Sequence, residues 1–207
     1  MRIMTILFCA AAVLMAAWVA YGALAVSRVE EPPYQVLKSE QGIEIRLYEP
    51  YRVAEVRVAG GYEIASSQGF RLLARYIFGH NVRQQKMAMT KPVIQNPAAG
   101  NENRIGSSQG DHRVRFVMSP SLKLNDLPKP IDGQVTLIDV PAHRVAVRRF
   151  SGTFTEEKAY QQADALRKTL KSLSMPHDGA LSISRYNPPG TPPFMMRHEV
   201  WIALPDR

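Results

Sequence analysis

The rhythm of apolar and polar positions changes several times along this chain. From residue 3 to residue 26 no position is charged and nearly every one is apolar, about the ~20 residues a helix needs to cross a hydrocarbon core. Alternation follows. Ile43, Ile45 and Leu47 alternate with Glu44, Arg46 and Tyr48, and Ala54, Val56 and Val58 alternate with Val53, Glu55 and Arg57. A period of two marks a half-buried strand, so the pattern predicts two strands that turn at Tyr48-Glu49-Pro50 and end at Gly60-Gly61. The spacing then becomes three and four. Phe70, Leu73, Ala74 and Ile77 share one face of a helix reaching Phe78, with Gly79 placed for a left-handed C-terminal cap. A strand is expected over 86–95 with Met87 and Met89 on one face, and the Gly/Asn/Ser-rich stretch 96–112 reads as a loop.

The second half follows a similar plan. Strands are expected over 114–118, 135–140 and 144–150. Thr155 can then cap a helix whose first turn holds Glu156 and Glu157, as the helix dipole prefers. Ala159, Ala163, Leu166, Leu170 and Leu173 give that helix the cleanest amphipathic stripe in the chain. Strands at 180–186 and 199–204 flank a rigid loop, Asn187-Pro188-Pro189-Gly190-Thr191-Pro192-Pro193.

Arg52-Val53-Ala54 recurs as Arg144-Val145-Ala146, a displacement of 92 residues that also pairs Gly60 with Gly152 and Tyr62 with Phe154. It lays the first helix over the second and the strand from Lys86 over the strand from Ala180. Each half is therefore strand, strand, helix, strand, strand. The fold class expected is α+β, with two sheets packed around a shared core and both helices outside. One face stays open: the displacement sets Val56 against Arg148, whereas alternation alone turns Val145 and Val147 inward. The organisation expected is an N-terminal hydrophobic helix (1–26), a Pro-containing linker (27–34) and one domain (35–207) whose halves are about 35–120 and 131–207.

The chain of 207 residues carries a formal charge of +8, which suits an anionic partner. The charges are scattered singly and no nucleic-acid motif is present, so nucleic acid is not expected. The single cysteine, Cys9, lies in the N-terminal apolar run. That leaves the domain without a disulfide, a thiolate metal site or a Cys-x-x-Cys-His heme attachment. Gly106-Ser107-Ser108-Gln109-Gly110 matches Gly-x-Ser-x-Gly formally but has no strand before it and no helix after it. There is no His-Glu-x-x-His, no phosphate-cradling Gly loop and no defensible acid–base pair of carboxylates.

For the N-terminal run, Arg2 and Ala23-Leu24-Ala25 allow a cleaved secretory signal, while the length favours an uncleaved transmembrane anchor. Arg2 stays inside, and Glu30 and Glu31 follow on the far side. Either way the domain is expected outside the cytoplasm: held on the inner membrane facing the periplasm, or released into the periplasm after cleavage.

Four blocks, in order, resemble the SOUL/heme-binding protein family. They are Ile43-Glu44-Ile45-Arg46-Leu47-Tyr48; Phe70 with Tyr76-Ile77-x-Gly79-x-Asn81; Lys86-Met87-Ala88-Met89-Thr90-Lys91-Pro92-Val93; and Tyr186-Asn187-Pro188-Pro189 with Pro193-Phe194 and Glu199-Val200-Trp201. The resemblance spans roughly residues 34–204. It implies a distorted β-barrel of two pseudo-symmetric halves, akin to bacterial effector-binding domains. It also implies reversible binding of heme or another tetrapyrrole in a shallow groove along the first helix. The family's heme-contacting positions fall on Phe70, Ala74 and Arg75. Phe70 and Ala74 stand where a vertebrate member has methionines, and Leu47 stands where some members carry a histidine proposed as an iron ligand.

A heme site needs an apolar wall and a cation at its rim. Phe70 and Ile77 are expected to supply the wall, Arg75 or Arg71 the cation, and Met87 a neighbour of the ring. Histidine is the usual axial ligand. His80 and His198 are the candidates by position, while His112, His143 and His177 have no visible partner. The function expected is non-covalent carriage or buffering of heme. The alternatives are a binding module for another amphipathic molecule or a partner protein, and, least supported by the residues, an enzyme acting on bound heme.

Overall fold

The computed structural model describes residues 2–27, 29–97 and 111–205. The order is α1 (Arg2–Ser27), β1 (Tyr34–Glu40), β2 (Ile43–Tyr48), β3 (Tyr51–Ala59), α2 (Tyr62–Ile77), β4 (Val93–Asn96), β5 (Asp111–Val117), β6 (Thr136–Val140), β7 (His143–Phe150), α3 (Glu156–Ser172), β8 (Leu181–Arg185) and β9 (His198–Leu204). The nine strands form one antiparallel sheet in the order β1-β2-β7-β9-β8-β4-β5-β3-β6.

That order carries the repeat with a twist in it. The half-sheet β2-β7-β9-β8 is matched by β6-β3-β5-β4, joined at the β4–β8 seam. The first strand of each repeat therefore pairs with the other repeat's body, β2 on β7 and β6 on β3. This exchange ties the halves into one unit.

The sheet curls so that inner-face residues of its two halves meet. Tyr48, Val53, Val117, Val145, Val147, Tyr186 and Trp201, drawn from both halves, share one buried cluster. On the outer face α3 covers β7 and β9 through Ala159, Ala163, Leu166 and Leu170 against Ala146, Val200 and Ile202. In the same way α2 covers β3 and β5 through Ala65, Leu73, Tyr76 and Ile77 against Ala54, Val56 and Val114. Among the described residues the sheet ends at β1 and β6, which do not pair, so the barrel expected from the family resemblance is a curled half-barrel.

The face left open on β7 is now assigned. Val145 and Val147 point inward, Ala146 faces α3, and Arg148 reaches Gln162 of α3 from the helix side at 2.9 Å. Displacement and alternation agree, because Val56 and Arg148 are both helix-facing.

Both helix ends behave as their residues dictate. Thr155 Oγ1 accepts the Lys158 amide at 3.1 Å. At the end of α2 the Gly79 amide donates to Tyr76 O and the His80 amide to Arg75 O, with Gly79 at φ +111°. This is the left-handed glycine cap. Gly69 serves a different purpose: a Cβ there would lie 2.6 Å from Val114 Cγ2, so only glycine lets α2 lie this close to β5.

The elements depart from expectation in three places. The strand over 86–95 is β4 alone, Val93–Asn96. Residue 86 only bridges to Phe78, the Met87 amide donates to Ile77 O, and the stretch folds back on the end of α2. Pro92, with no amide hydrogen, could not extend a ladder there. Conversely, β1 is a strand that the pattern does not predict, because its largely exposed positions follow no period. Asn96, Asp111 and His112, read as loop, belong to β4 and β5. The Gly106–Gly110 motif lies outside the described residues.

Helix α1 is exposed along its described side chains except around Val19 and Gly22. It is long and apolar enough to cross a membrane, by length and composition. The segment after it is fastened to the domain. Glu31 accepts two hydrogen bonds from Arg197 Nη1, at 3.0 and 3.1 Å, and pairs with Lys91 at 3.2 Å.

Candidate functional site

Each helix covers the outer face of one half-sheet and leaves the seam between them uncovered. A cavity of about 620 Å³ lies over that seam, within the ~300–1,000 Å³ range of ligand pockets. The first half of α2 supplies one wall through Tyr62, Ser66 and Phe70. The turn before α3 continues that wall with Thr153 and with Phe154, which packs on Tyr62, and the paired seam residues Val93 and Arg185 form the floor. Pro188, Pro189 and Met196 of the Pro-rich loop close the remaining side.

The walls are aromatic because the sequence puts rings at equivalent points of the repeat. Tyr62 and Phe154, the pair related by 92 residues, stack with centroids 5.6 Å apart and planes 25° from parallel. Phe70 meets Phe116 edge to face at 5.2 Å and keeps 38% of its surface exposed toward the opening. The cations sit at two levels. Arg185 donates to the Ser66 hydroxyl and lies over the Phe154 ring at 5.3 Å. Arg71 stands exposed at the rim, and Glu63 is the one acidic residue in the lining. An apolar slot with a guanidinium at its floor and another at its lip can hold a flat ring and its carboxylates.

His198 borders this cavity and is buried. Its Nε2–H donates to Gly152 O at 3.1 Å, and Nδ1 is enclosed without a partner among the described residues. Burial pushes its pKa below the ordinary 6.5, and the charges of Arg185 and Lys158 push it further, against the Gly152 carbonyl that favours the proton. The ring is therefore neutral at pH 7. Phe150 and Phe154 flank it, each 5.3 Å away.

The other expected site residues fall elsewhere. Ala74 and Met87 are partly buried against the α2 core cluster, and Ile77 is 1% exposed within it. Ile77 faces the sheet, so Tyr62 and Phe154 provide the wall assigned to it. Arg75 points to the other side of α2, toward a second hollow of about 400 Å³ shared with Arg71, Leu72 and Gln134, and donates to His80 Nε2 at 3.1 Å. Thus Phe70, Arg71 and His198 meet at the cavity, while Ala74, Arg75, Ile77, Met87 and His80 do not. Sequence reasoning missed Tyr62, Ser66, Phe154, Arg185 and Met196 as lining residues. The displacement pairing Tyr62 with Phe154 was the signal that could have found the two rings.

Behind the cavity, on the inner face, lies a buried charge cluster. Glu199 is fully buried and accepts from Arg46 Nη1 and Nη2 (3.0 and 3.2 Å), Arg197 Nε (2.9 Å), the Tyr186 hydroxyl (2.7 Å) and the Trp201 indole (2.8 Å). Burial alone would raise its pKa, but the charges of Arg46 and Arg197 and the hydrogen bonds from Arg46 and Tyr186 hold it below the ordinary 4.5. With its lone pairs occupied and no access to solvent, this carboxylate holds the inner core together and reaches no ligand.

The comparisons with known proteins bear on this cavity. The family model described as SOUL heme-binding protein matches residues 29–203. Heme-binding protein 1 of Xenopus laevis is 28% identical over 166 residues, covering 80% of this chain and 85% of that protein. Heme-binding protein 2 of Homo sapiens is 28% identical over 165 residues, covering 77% and 76%. Among solved structures, the EcmrR C-terminal domain superposes with a TM-score of 0.61 at 8% identity, covering 84% of this chain and 99% of that one. An uncharacterized conserved protein from Listeria innocua gives 0.57 at 10% identity, covering 79% and 92%. At such identities these structures are alike in fold only.

Proposed function

The chain belongs to the SOUL heme-binding protein family, one of binding proteins rather than enzymes, and we propose that it holds heme or a related tetrapyrrole, without a covalent bond, in the seam cavity. The observation that carries this reading is the cavity itself. About 620 Å³ of space is faced by Tyr62, Phe70 and Phe154, with Arg71 at the lip where the carboxylates of a porphyrin would emerge and Arg185 at the floor. The fit extends to the ring and its acids and not to the iron. His198 Nδ1 is enclosed, and His80 lies away from the cavity and holds Arg75. The site thus recognises the macrocycle through its aromatic surface and guanidinium pairing, the non-covalent mode of holding that a carrier or buffer needs.

We place the domain on the outer side of the membrane, tethered by α1, on the strength of the uncharged run at 3–26 and the order Arg2 before Glu30 and Glu31.

Titration of the detergent-solubilised full chain with hemin and with metal-free protoporphyrin tests the proposal. Both should give saturable absorbance changes at one ligand per chain, with affinities within about tenfold (~1.4 kcal/mol) of each other. Failure of both to saturate at micromolar concentrations would remove the tetrapyrrole reading in favour of another amphipathic ligand. Saturation by hemin alone would show that the iron is ligated after all.

A further inference from the structure

The loop that walls the cavity also touches the N-terminal helix. Trp18 Nε1–H donates to Gly190 O at 2.7 Å. Gly22 is buried and Val19 half-buried in an otherwise exposed stretch of the described α1 side chains, and a Cβ at Gly22 would lie 2.8 Å from Pro192 Cδ and 3.4 Å from Met195 Sδ. The same loop sends Pro188, Pro189 and Met196 into the cavity wall and leaves Phe194 64% exposed, outside the cavity lining.

Helix length then fixes where this loop must lie. Residues 3–17, the part of α1 before these contacts, rise about 22 Å at ~1.5 Å per residue, short of the ~30 Å hydrocarbon core. A spanning α1 must therefore draw about five more residues, through Gly22, into the outer edge of the hydrocarbon core. Trp18 and Tyr21, both substantially exposed, are the residue types that settle at that boundary. The loop fastened to Trp18 and Gly22 comes to the headgroup layer with them.

We propose that the loop over 188–196 is a bilayer-contacting element with Phe194 as its inserted side chain, and that the seam cavity receives its amphipathic ligand from the lipid surface. The partner is the bilayer itself. This inference rests on the reading that α1 spans the membrane; its lipid-contact part does not depend on the ligand being heme. An amphipathic planar acid concentrates at a lipid interface, and a cavity whose Pro-rich wall touches that interface loads without a passage through water.

Site-directed spin labelling of the full chain in phosphatidylcholine vesicles tests the geometry. On a Cys9→Ser background, nitroxides at Phe194→Cys, Leu14→Cys and Gly133→Cys are compared for access to oxygen and to a polar nickel complex. Expected are a deep reading at 14, an aqueous reading at 133, which lies in open space, and a headgroup-level reading at 194. An aqueous reading at 194 beside a deep one at 14 overturns the inference, and so does an aqueous reading at 14. In a second arm, hemin preloaded in vesicles should transfer to Phe194→Ser at least about fivefold more slowly than to the wild type, with hemin affinity in detergent unchanged. Equal transfer rates overturn the loading step. If hemin fails to bind in any format, the heme reading falls and the label depths alone decide the lipid contact.

Discussion

Glu199→Ala is expected to lower the stability of the folded domain by about 3–5 kcal/mol, the usual cost of stripping one partner from a buried ion cluster. The loss is large because the remaining partners are themselves buried. Arg46 is 3% exposed, Tyr186 and Trp201 are enclosed, and Arg197 is left with Glu31 alone among its carboxylate partners. Against a typical total of ~5–15 kcal/mol, such a change removes a large share. Urea denaturation followed by the fluorescence of Trp201 measures it. Acid adds a signature. The folded-state pKa of Glu199 lies below 4.5, so its stabilisation is complete above pH 4.5 and is lost as pH falls through the depressed value. The gap between wild type and Glu199→Ala should therefore narrow below pH 4.5. A constant gap, or a cost under about 1 kcal/mol, would show that the cluster is not what holds the inner face together.

Phe70→Glu is expected to weaken hemin binding at least tenfold, about 1.4 kcal/mol, while leaving the fold intact. Phe70 is already 38% exposed, so a carboxylate there can remain solvated. It removes an apolar wall, a contact of the size that burying a Phe supplies (~1.5–3 kcal/mol). It also sets a negative charge beside the place where Arg71 and Arg185 would receive carboxylates. Arg75→Gln serves as the contrast. The family resemblance marks Arg75 as a contact, but its side chain lies on the far side of α2 with His80 and Gln134. Affinity in that variant should stay within about twofold of the wild type. Reversal of the two effects would move the ligand to the other side of the helix.

How much could be read beforehand depended on whether the signal was local. The helix α3 was legible in full, from the Thr155 cap to its stripe of Ala159, Ala163, Leu166 and Leu170, because capping and three-and-four spacing are set by neighbours in the chain. The Gly79 cap was legible for the same reason. The stretch 86–92 misled because Met87 and Met89 alternate like strand residues, yet the chain there packs on the end of α2 and Pro92 stops a ladder. The strand β1 carried no apolar period, since an edge strand can leave most of its side chains in solvent.

The cavity was half legible. Phe70 and Arg71 lie on a recognisable helix, but Phe154 and Arg185 arrive from elements 84 and 115 residues further along, measured from Phe70 (154 − 70 and 185 − 70). Only the pairing of β4 with β8 brings them beside α2. The repeat did carry the information in compressed form, because Tyr62 and Phe154 occupy equivalent places and stack on each other at the seam. The face of α2 was the part periodicity could not settle. Ile77 and Phe70 belong to one apolar stripe, yet a stripe wider than the sheet contact leaves one edge, at Phe70, for the ligand.

Amide hydrogen exchange of the full chain with and without hemin tests the placement of the ligand most directly. Added protection is predicted over 62–71 and 185–198, the two sides of the seam, with 72–80 unchanged. Protection confined to 72–80, on the side of Arg75 and His80, or absent from both segments under saturating hemin, would contradict the seam cavity as the binding site.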